Sequence, residues 1–268
     1  MHKNILNIAL IFLLTSCSTV NIGYSIGDWL IKKEILSRVK LYKNQQQELE
    51  KILDKYMLWH EKEMLPQYLK GLSKIKILIK KETTSPNIKE IQSLIVSNIL
   101  ETISKLGHDI APVLSGINDK QLDRSRVLIS RAYDKRMKKN KAYRSKDVYL
   151  LWKESSVDWL GELNDKQEAW LKENVESLYT QKDSQAKMAM TGKRQQGFIE
   201  IFEESEASVR LQKQKDYWDS LSANYKVFKG RPHTEKLLIE YFKLIDNKQK
   251  ENIIKKLEKV ESTIKSLM

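Results

Sequence analysis

The sequence contains one cysteine, four prolines and nine glycines among its 268 residues. A single cysteine excludes an intrachain disulfide bond and a zinc cluster built from cysteines. So few prolines and glycines disfavour the turn-rich architectures of β-sandwiches and barrels. Apolar residues make up 41% of the chain and charged residues 31%, so an intrinsically disordered chain is also excluded. The length suits one or two domains and is sufficient to bury a real core.

Apolar residues recur at helical spacing almost everywhere after residue 25, and strict alternation is never sustained. One such stripe consists of Leu41, Leu49, Ile52, Leu53, Tyr56 and Trp59. The pattern predicts an all-α multi-helix bundle of roughly eight to ten helices. Glycine, proline and small polar residues predict helix breaks at 83–86, 107–116, 192–197 and 230–232. We expect Pro66 to kink or restart its helix, and a subdivision of the body near 107–117.

The chain begins with a segment typical of a secretory signal. His2 and Lys3 precede an apolar run from Ile5 to Leu14, which is too short to cross a bilayer but suits a signal-peptide core. The run ends in Leu14, Thr15, Ser16 and Cys17, which resembles the bacterial lipobox, and this is the position of the one cysteine. The sequence therefore predicts a lipoprotein signal peptide at 1–16, a lipid-anchored tether at 17–24 and a helical periplasmic body at 25–268, with Cys17 as the acylated residue.

The predicted destination is the outer membrane. No later segment is apolar enough to span a bilayer, so the membrane partner is reached through acylated Cys17. Ser18 follows that cysteine where an aspartate would stand in retained lipoproteins, and the resemblance to Gram-negative lipoproteins implies an outer-membrane anchor that faces the periplasm. We expect no nucleic-acid partner, because an exported chain does not meet one.

The formal net charge of +13 allows two interpretations. A basic body can bind anionic envelope components such as headgroups, lipopolysaccharide phosphates or acidic glycans. Alternatively, the lysines form a solvated surface, since lysine and glutamate are interspersed through most of the chain. The densest cluster, here called the basic stretch, consists of Arg136, Lys138, Lys139, Lys141, Arg144 and Lys146. It is the candidate anionic-ligand site.

An apolar residue followed four positions later by glutamine occurs four times at predicted helix starts. The copies are Leu41–Gln45, Ile117–Gln121, Leu163–Gln167 and Ile245–Gln249. In the last three, Asn118, Asn164 and Asp246 stand at the N-cap, and glutamine three residues later completes a capping box. The first copy has Tyr42 at that position. A hydrophobic staple is expected between Ile117 and Leu122.

An ordered set of motifs resembles a known family. It comprises Gly27-Asp28-Trp29-Leu30, the Leu41–Gln45 start, Leu58-Trp59-His60-Glu61 and Leu65-Pro66-Gln67-Tyr68. Together they resemble a family of bacterial lipoproteins catalogued as a domain of unknown function. The Arg131–Arg144 region and Asp216-Tyr217-Trp218 are similar to its C-terminal half. The resemblance implies an all-α envelope lipoprotein over nearly all of the mature chain, and it implies no activity.

The helix starts alone resemble a second family more weakly. Spy/CpxP-type periplasmic chaperones carry repeated Leu-Thr-x-x-Gln motifs at helix starts, whereas this chain has Tyr42, Asn118, Asn164 and Asp246 in place of the threonine. Those chaperones are shorter and have no lipobox. The similarity implies a chaperone-like alternative, in which an exposed apolar concavity shields envelope proteins.

The sequence shows no catalytic motif. His60 begins a His-Glu-x-x pattern, but Met64 stands where a zinc motif needs its second histidine, so no metal site is predicted. No Gly-x-Ser-x-Gly and no phosphate-binding loop occur. We expect no cofactor and a non-catalytic binding or structural role. A cell-wall-acting enzyme, with carboxylates converging on His60, remains the third alternative.

The six tryptophans lie at positions 29, 59, 152, 159, 170 and 218. Core packing with the indole N–H hydrogen-bonded is one interpretation. A groove for an apolar helix or an acyl chain is the other, and Trp29 is close enough to Cys17 in sequence to reach the headgroups.

Overall fold

A computed structural model describes residues 24, 26–141, 145–178, 192, 196–227 and 232–268. This part of the chain contains ten α-helices and no strand, which confirms the predicted all-α bundle. The helices are α1 (Gly27–Leu36), α2 (Lys43–Trp59), α3 (Leu65–Lys80), α4 (Ser85–Ser115), α5 (Asp119–Lys141), α6 (Ser145–Leu160), α7 (Asp165–Leu178), α8 (Ala207–Val227), α9 (Pro232–Lys243) and α10 (Asn247–Lys265). Residues 196–202 are also helical. Among these elements, none is both long enough and apolar enough to cross a membrane.

The predicted break at 83–86 is confirmed, and the one at 107–116 is wrong over most of its length. Helix α4 starts at Ser85, capped by the Thr84 hydroxyl, and continues to Ser115. Gly107 lies inside α4 and faces the Trp218 ring, and a Cβ atom at this position would lie 2.2 Å from that ring. The glycine therefore serves close helix packing, and the chain turns only at 116–118.

Pro66 neither ends the helix nor separates α2 from α3. A π-helical segment at His60–Met64 joins them, and the Leu65 N–H donates to the carbonyl of His60, five residues back. Proline has no N–H and crowds the carbonyl four residues before it, and a wider turn relieves that crowding. The disturbance predicted at Pro66 thus takes the form of a π turn within one continuous helix.

Three clusters of buried apolar side chains form the core. The first joins α2, α4, α5 and α8, and the inner side of α1 packs against it. The second lies between α3 and α10, and the third between α6, α7 and α9. Ile253 of α10 packs against both the second and the third cluster. Helix α10 therefore connects α3, from the first part of the chain, with α6 and α7.

Four of the tryptophans pack into these clusters, as the core interpretation predicted. They are Trp152, Trp159, Trp170 and Trp218. Within the described residues, the buried indole nitrogens of Trp159, Trp170 and Trp218 make no hydrogen bond, so the predicted pairing of the N–H groups is not found at these three positions. Trp29 differs, because half of its surface is exposed.

Arg210 of α8 binds the end of α4. Its Nε donates to the Ser115 carbonyl over 2.9 Å, and its Nη1 donates to the carbonyls of Glu204 and Ser205 over 2.7 and 3.1 Å. Carbonyls at a helix C-terminus carry partial negative charge, so a guanidinium placed there stabilises the helix end. No local sequence pattern indicates this contact, because Arg210 and Ser115 lie 95 residues apart.

Candidate functional site

The site residues predicted from sequence lie largely beyond what the structure describes. Cys17 and the lipobox residues 14–16 lie outside the described residues. For the basic stretch, the backbone of 136–141 forms the end of α5, and that of 145–146 begins α6. Residues 142–144 and the side chains of the whole stretch are outside the described part. Both assignments therefore remain predictions.

The three predicted capping boxes are present. The Oδ1 atoms of Asn118, Asn164 and Asp246 each accept a bond from the N–H of the glutamine three residues later, over 3.0, 3.0 and 2.8 Å. In return, the glutamine Oε1 accepts from the N–H of the cap residue, over 3.1 to 3.2 Å. At the first copy, the Tyr42 N–H donates to Gln45 Oε1 over 2.9 Å. Ile117 and Leu122 are both buried in the first cluster, where the staple predicts them.

The four helix starts also combine into two glutamine pairs, which the motif alone does not reveal. Gln167 and Gln249 form one pair, in which each Nε2 donates to the Oε1 of the other, over 2.7 and 2.9 Å. Each Nε2 also donates to the carbonyl just before the partner's motif, Leu244 for Gln167 and Glu162 for Gln249. Because each Oε1 also accepts from its own cap residue, both amides have two donated and two accepted bonds.

Gln45 and Gln121 form a second pair in the first half of the chain, with one bond between the two amides. Gln121 Nε2 donates to Gln45 Oε1 over 2.6 Å and to the carbonyl of Lys40, which precedes the first motif. Gln45 Nε2 donates to the carbonyl of Gly116, which precedes the second motif. The two pairs therefore follow one rule, in which a glutamine binds the backbone directly before its partner's apolar residue. This explains the fixed spacing between that apolar residue and the glutamine.

A chain of hydrogen bonds, here called the His60 chain, runs through the π segment. His60 Nε2 lies 3.0 Å from the Tyr68 hydroxyl, which lies 2.8 Å from the Thr102 hydroxyl. His60 Nδ1 lies 3.5 Å from the Tyr24 hydroxyl, a longer contact. Tyr24 is the last residue of the predicted tether, so the His60 chain connects the end of that tether to the body.

The last acceptor fixes the direction of these bonds. The Thr102 hydroxyl donates to the Asn98 carbonyl over 2.8 Å, so its oxygen accepts from Tyr68. The Tyr68 oxygen then accepts from Nε2–H of His60, which leaves Nδ1 as an acceptor for Tyr24. The geometry thus places a proton on Nε2, and Nδ1 is the acceptor when the ring is neutral.

Burial keeps His60 neutral. It lowers the pKa of the imidazole to about 4 from the usual 6.5. Burial also raises the pKa of the Tyr24 and Tyr68 hydroxyls to about 12. All three groups are therefore uncharged near neutral pH. The His60 chain is thus a set of hydrogen bonds between neutral groups, each with a fixed donor and acceptor.

His60 does not take the position that metal or acid–base chemistry would require. Its ring nitrogens face two phenols, and Met64, at the second zinc-motif position, is fully buried. Within the described ranges, no three His, Cys, Asp or Glu side chains lie together in a way that could hold a metal ion.

A serine, a histidine and an aspartate that the sequence did not single out meet between α4 and α8. His108 Nε2 lies 2.8 Å and Ser104 Oγ 3.2 Å from the same Asp219 carboxylate oxygen. In a catalytic triad, the hydroxyl bonds the imidazole, and the imidazole bonds the carboxylate through its other nitrogen. Here the hydroxyl proton points to the aspartate, so this trio lacks the order that activates a serine.

One comparison with known proteins gives a match. The model described as a family of unknown function (DUF6279) matches residues 37–226. The match starts after α1 and ends before α9. The sequence motifs implied a resemblance over nearly all of the mature chain, and the family model covers a shorter part of it. No curated protein and no solved structure matches the chain.

Proposed function

We propose that this chain, which belongs to the family of unknown function DUF6279, is an outer-membrane lipoprotein with a periplasm-facing body that binds envelope components without catalysis. The observation that carries the proposal is Cys17. It is the one cysteine of the chain and stands at the end of Leu14-Thr15-Ser16, directly after an apolar signal core. Acylation there would tie the helical body to the membrane through several acyl chains, which hold far more firmly than one.

The start of the body supports a short tether. Tyr24 lies seven residues after Cys17 and packs against the second core cluster, while its hydroxyl contacts His60. At roughly 3.5 Å per extended residue, the acylated cysteine stays within about 25 Å of Tyr24. The body is therefore held close to the bilayer, where headgroups and outer-membrane proteins are its nearest partners.

Radioactive palmitate labelling tests the anchor. The native chain and Cys17→Ala are expressed side by side, and the membranes are fractionated. Label in the native protein alone, in the outer-membrane fraction, is expected. An unlabelled native protein released into the periplasm overturns the proposal.

The ligand of this role is proposed to be anionic and to bind the basic stretch. Lys138, Lys139 and Lys141 lie within six positions of Arg136 and Arg144, and their summed charge attracts phosphate groups. Changing these three lysines to glutamate should weaken binding of purified lipopolysaccharide at least about tenfold, since each basic residue contributes on the order of 1 kcal/mol at an anionic surface. Reversal of Lys43, Lys51 and Lys55, three exposed lysines of α2, is the matched control. Equal loss in both variants overturns this site.

A chaperone-like role is the second candidate, favoured by exposed apolar side chains on α6. Leu150, Leu151 and Val157 each expose more than two fifths of their surface, and Leu150 and Val157 share one helix face. Such side chains could hold an unfolded envelope protein. The triple serine variant should then lose suppression of the aggregation of a denatured outer-membrane protein, whereas Val127→Ser, at an exposed position of α5, should retain it. No suppression by the native protein rejects this candidate.

A further inference from the structure

Helix α1 presents an apolar face to solvent. Ile26, Trp29 and Leu30 expose 39%, 51% and 37% of their surfaces, and with Lys33 they follow the i, i+3, i+4, i+7 spacing of one helix face. The opposite side of α1 packs against the first core cluster through Ile31 and Ile35. The exposed face is therefore additional to the one that holds α1 on the body.

The chemistry of this face fits the headgroup region of a bilayer. Tryptophan has an apolar ring and a polar N–H, and it is enriched at membrane interfaces. Lys33 lies over the Trp29 ring, with its Nζ 4.5 Å from the ring centroid, so cation and aromatic ring occupy the same patch. No carboxylate interrupts positions 26, 29, 30, 33 and 37, which are Ile, Trp, Leu, Lys and Ser. Such a face combines shallow apolar insertion with attraction to acidic lipids.

The position of α1 along the chain indicates that a bilayer covers its exposed face. Tyr24 is fastened to His60, and α1 begins three residues later at Gly27. The exposed residues of α1 therefore stay within about two helical turns of a point that the tether keeps near the bilayer. Tethering gives a high effective concentration of membrane at this face, so even a weak interfacial contact becomes populated.

We propose that the Ile26–Lys33 face of α1 lies on the bilayer surface and inserts Trp29 among acidic headgroups. This inference rests on the proposed acylation of Cys17. It makes α1 the element that orients the body, so that the lipid anchor holds the protein at the membrane and α1 sets the angle at which it stands.

Tryptophan quenching by brominated lipids tests the proposal. The acylated mature protein is reconstituted into vesicles of phosphatidylethanolamine and phosphatidylglycerol that contain a brominated phospholipid. We expect bromine to quench part of the emission, and Trp29→Phe to lose most of that quenching. Trp170→Phe, which removes a tryptophan packed in the third core cluster, is the matched control and should retain it.

A second variant probes the acidic lipids. Lys33→Glu should reduce quenching in vesicles with phosphatidylglycerol and leave it unchanged in vesicles of phosphatidylcholine alone. Equal quenching of the native protein and Trp29→Phe overturns the role of α1, while co-flotation with the vesicles would still support the anchor. If the native protein fails to co-float, or Cys17→Ala co-floats equally well, the proposed function itself is overturned.

Discussion

Burial determines the chemistry of His60. The sequence places this residue in a partial zinc motif, whereas the fold gives it two phenol partners and a neutral ring. The sequence signal concerned only the spacing to Met64, which stands where a zinc motif needs its second histidine. It could not reveal Tyr24 and Thr102, because those residues come from other turns of the chain and meet His60 and Tyr68 only after folding.

The stability of the body should fall on mild acidification because of His60. Its pKa is about 4 in the folded protein and 6.5 in the unfolded chain, so the unfolded chain binds more protons between these values. The contribution is fully present above pH 6.5 and is lost as the pH falls to 4, and the total loss is about 3 kcal/mol. Urea unfolding across this range should show a flatter pH dependence for His60→Gln. Identical slopes for the native protein and His60→Gln contradict the assignment.

Gly107→Ala should destabilise the body through the Trp218 ring. The added Cβ would lie 2.2 Å from Cδ2 of that ring, which is buried and cannot move aside cheaply. We expect a loss of about 2 to 3 kcal/mol in thermal or urea unfolding. Gly71→Ala in α3 is the matched control, because its Cβ would meet the nearest atom at an ordinary 3.5 Å. That variant should gain up to about 1 kcal/mol from helix propensity, and equal effects of the two changes would refute the packing argument.

At the scale of elements, paired helix starts organise the molecule. Each start caps itself locally, and its glutamine then joins it to a start 76 or 82 residues away. One side chain therefore serves both the local and the long-range contact. Loss of such a glutamine affects two helices at once.

A double-mutant cycle should detect this coupling. Gln167→Ala leaves the buried amide of Gln249 without one of its two donated bonds and one of its two accepted bonds, and the reverse change does the same to Gln167. The two single changes should each cost about 2 kcal/mol, and the double variant should cost about 1 to 2 kcal/mol less than their sum. Gln121→Ala combined with Gln167→Ala joins members of separate pairs and should be additive. Additivity in both combinations contradicts the pairing.

The helices and their caps could be predicted, and the pairing could not. Asn118, Asn164 and Asp246 are local signals that act within one helical turn, and all three cap as expected. Which helix start meets which other depends on tertiary packing. Gly107 was misjudged for the same reason, because a glycine in a sequence indicates a break unless its distant neighbour, here Trp218, is known.

At the scale of the whole molecule, α10 holds distant parts of the chain together. Leu257, Val260 and Ile264 pack with Leu65 and Leu72 of α3, and Glu261 forms an ion pair with Lys76. Lys265 and Lys76 keep the pKa of the Glu261 carboxyl below its usual range. Helix α10 lies beyond residue 226, where the family match ends, yet it supplies Gln249 and this apolar face.

Leu257→Ala should weaken the whole body in a single step. The side chain is buried between α3 and α10, so its loss leaves a cavity that costs about 2 to 4 kcal/mol. Circular dichroism and tryptophan emission should report one shared shift of the urea midpoint. Met268→Ala, at an exposed position, should leave the midpoint unchanged. Two separate transitions in Leu257→Ala would show that α10 does not unite the body.

The glutamine pairs join helix starts through hydrogen bonds that do not depend on the salt concentration. A surface ion pair such as Lys153 with Glu168 weakens as salt rises, because mobile ions screen it. The buried amides of Gln167 and Gln249 carry no charge, so neither added salt nor a change in acidity alters their bonds. As the medium becomes more saline, contacts on the helix surfaces loosen while the points where helices begin stay fixed. Salt therefore weakens the ion pairs on the surface of the body but not the bonds between the glutamine pairs at its helix starts.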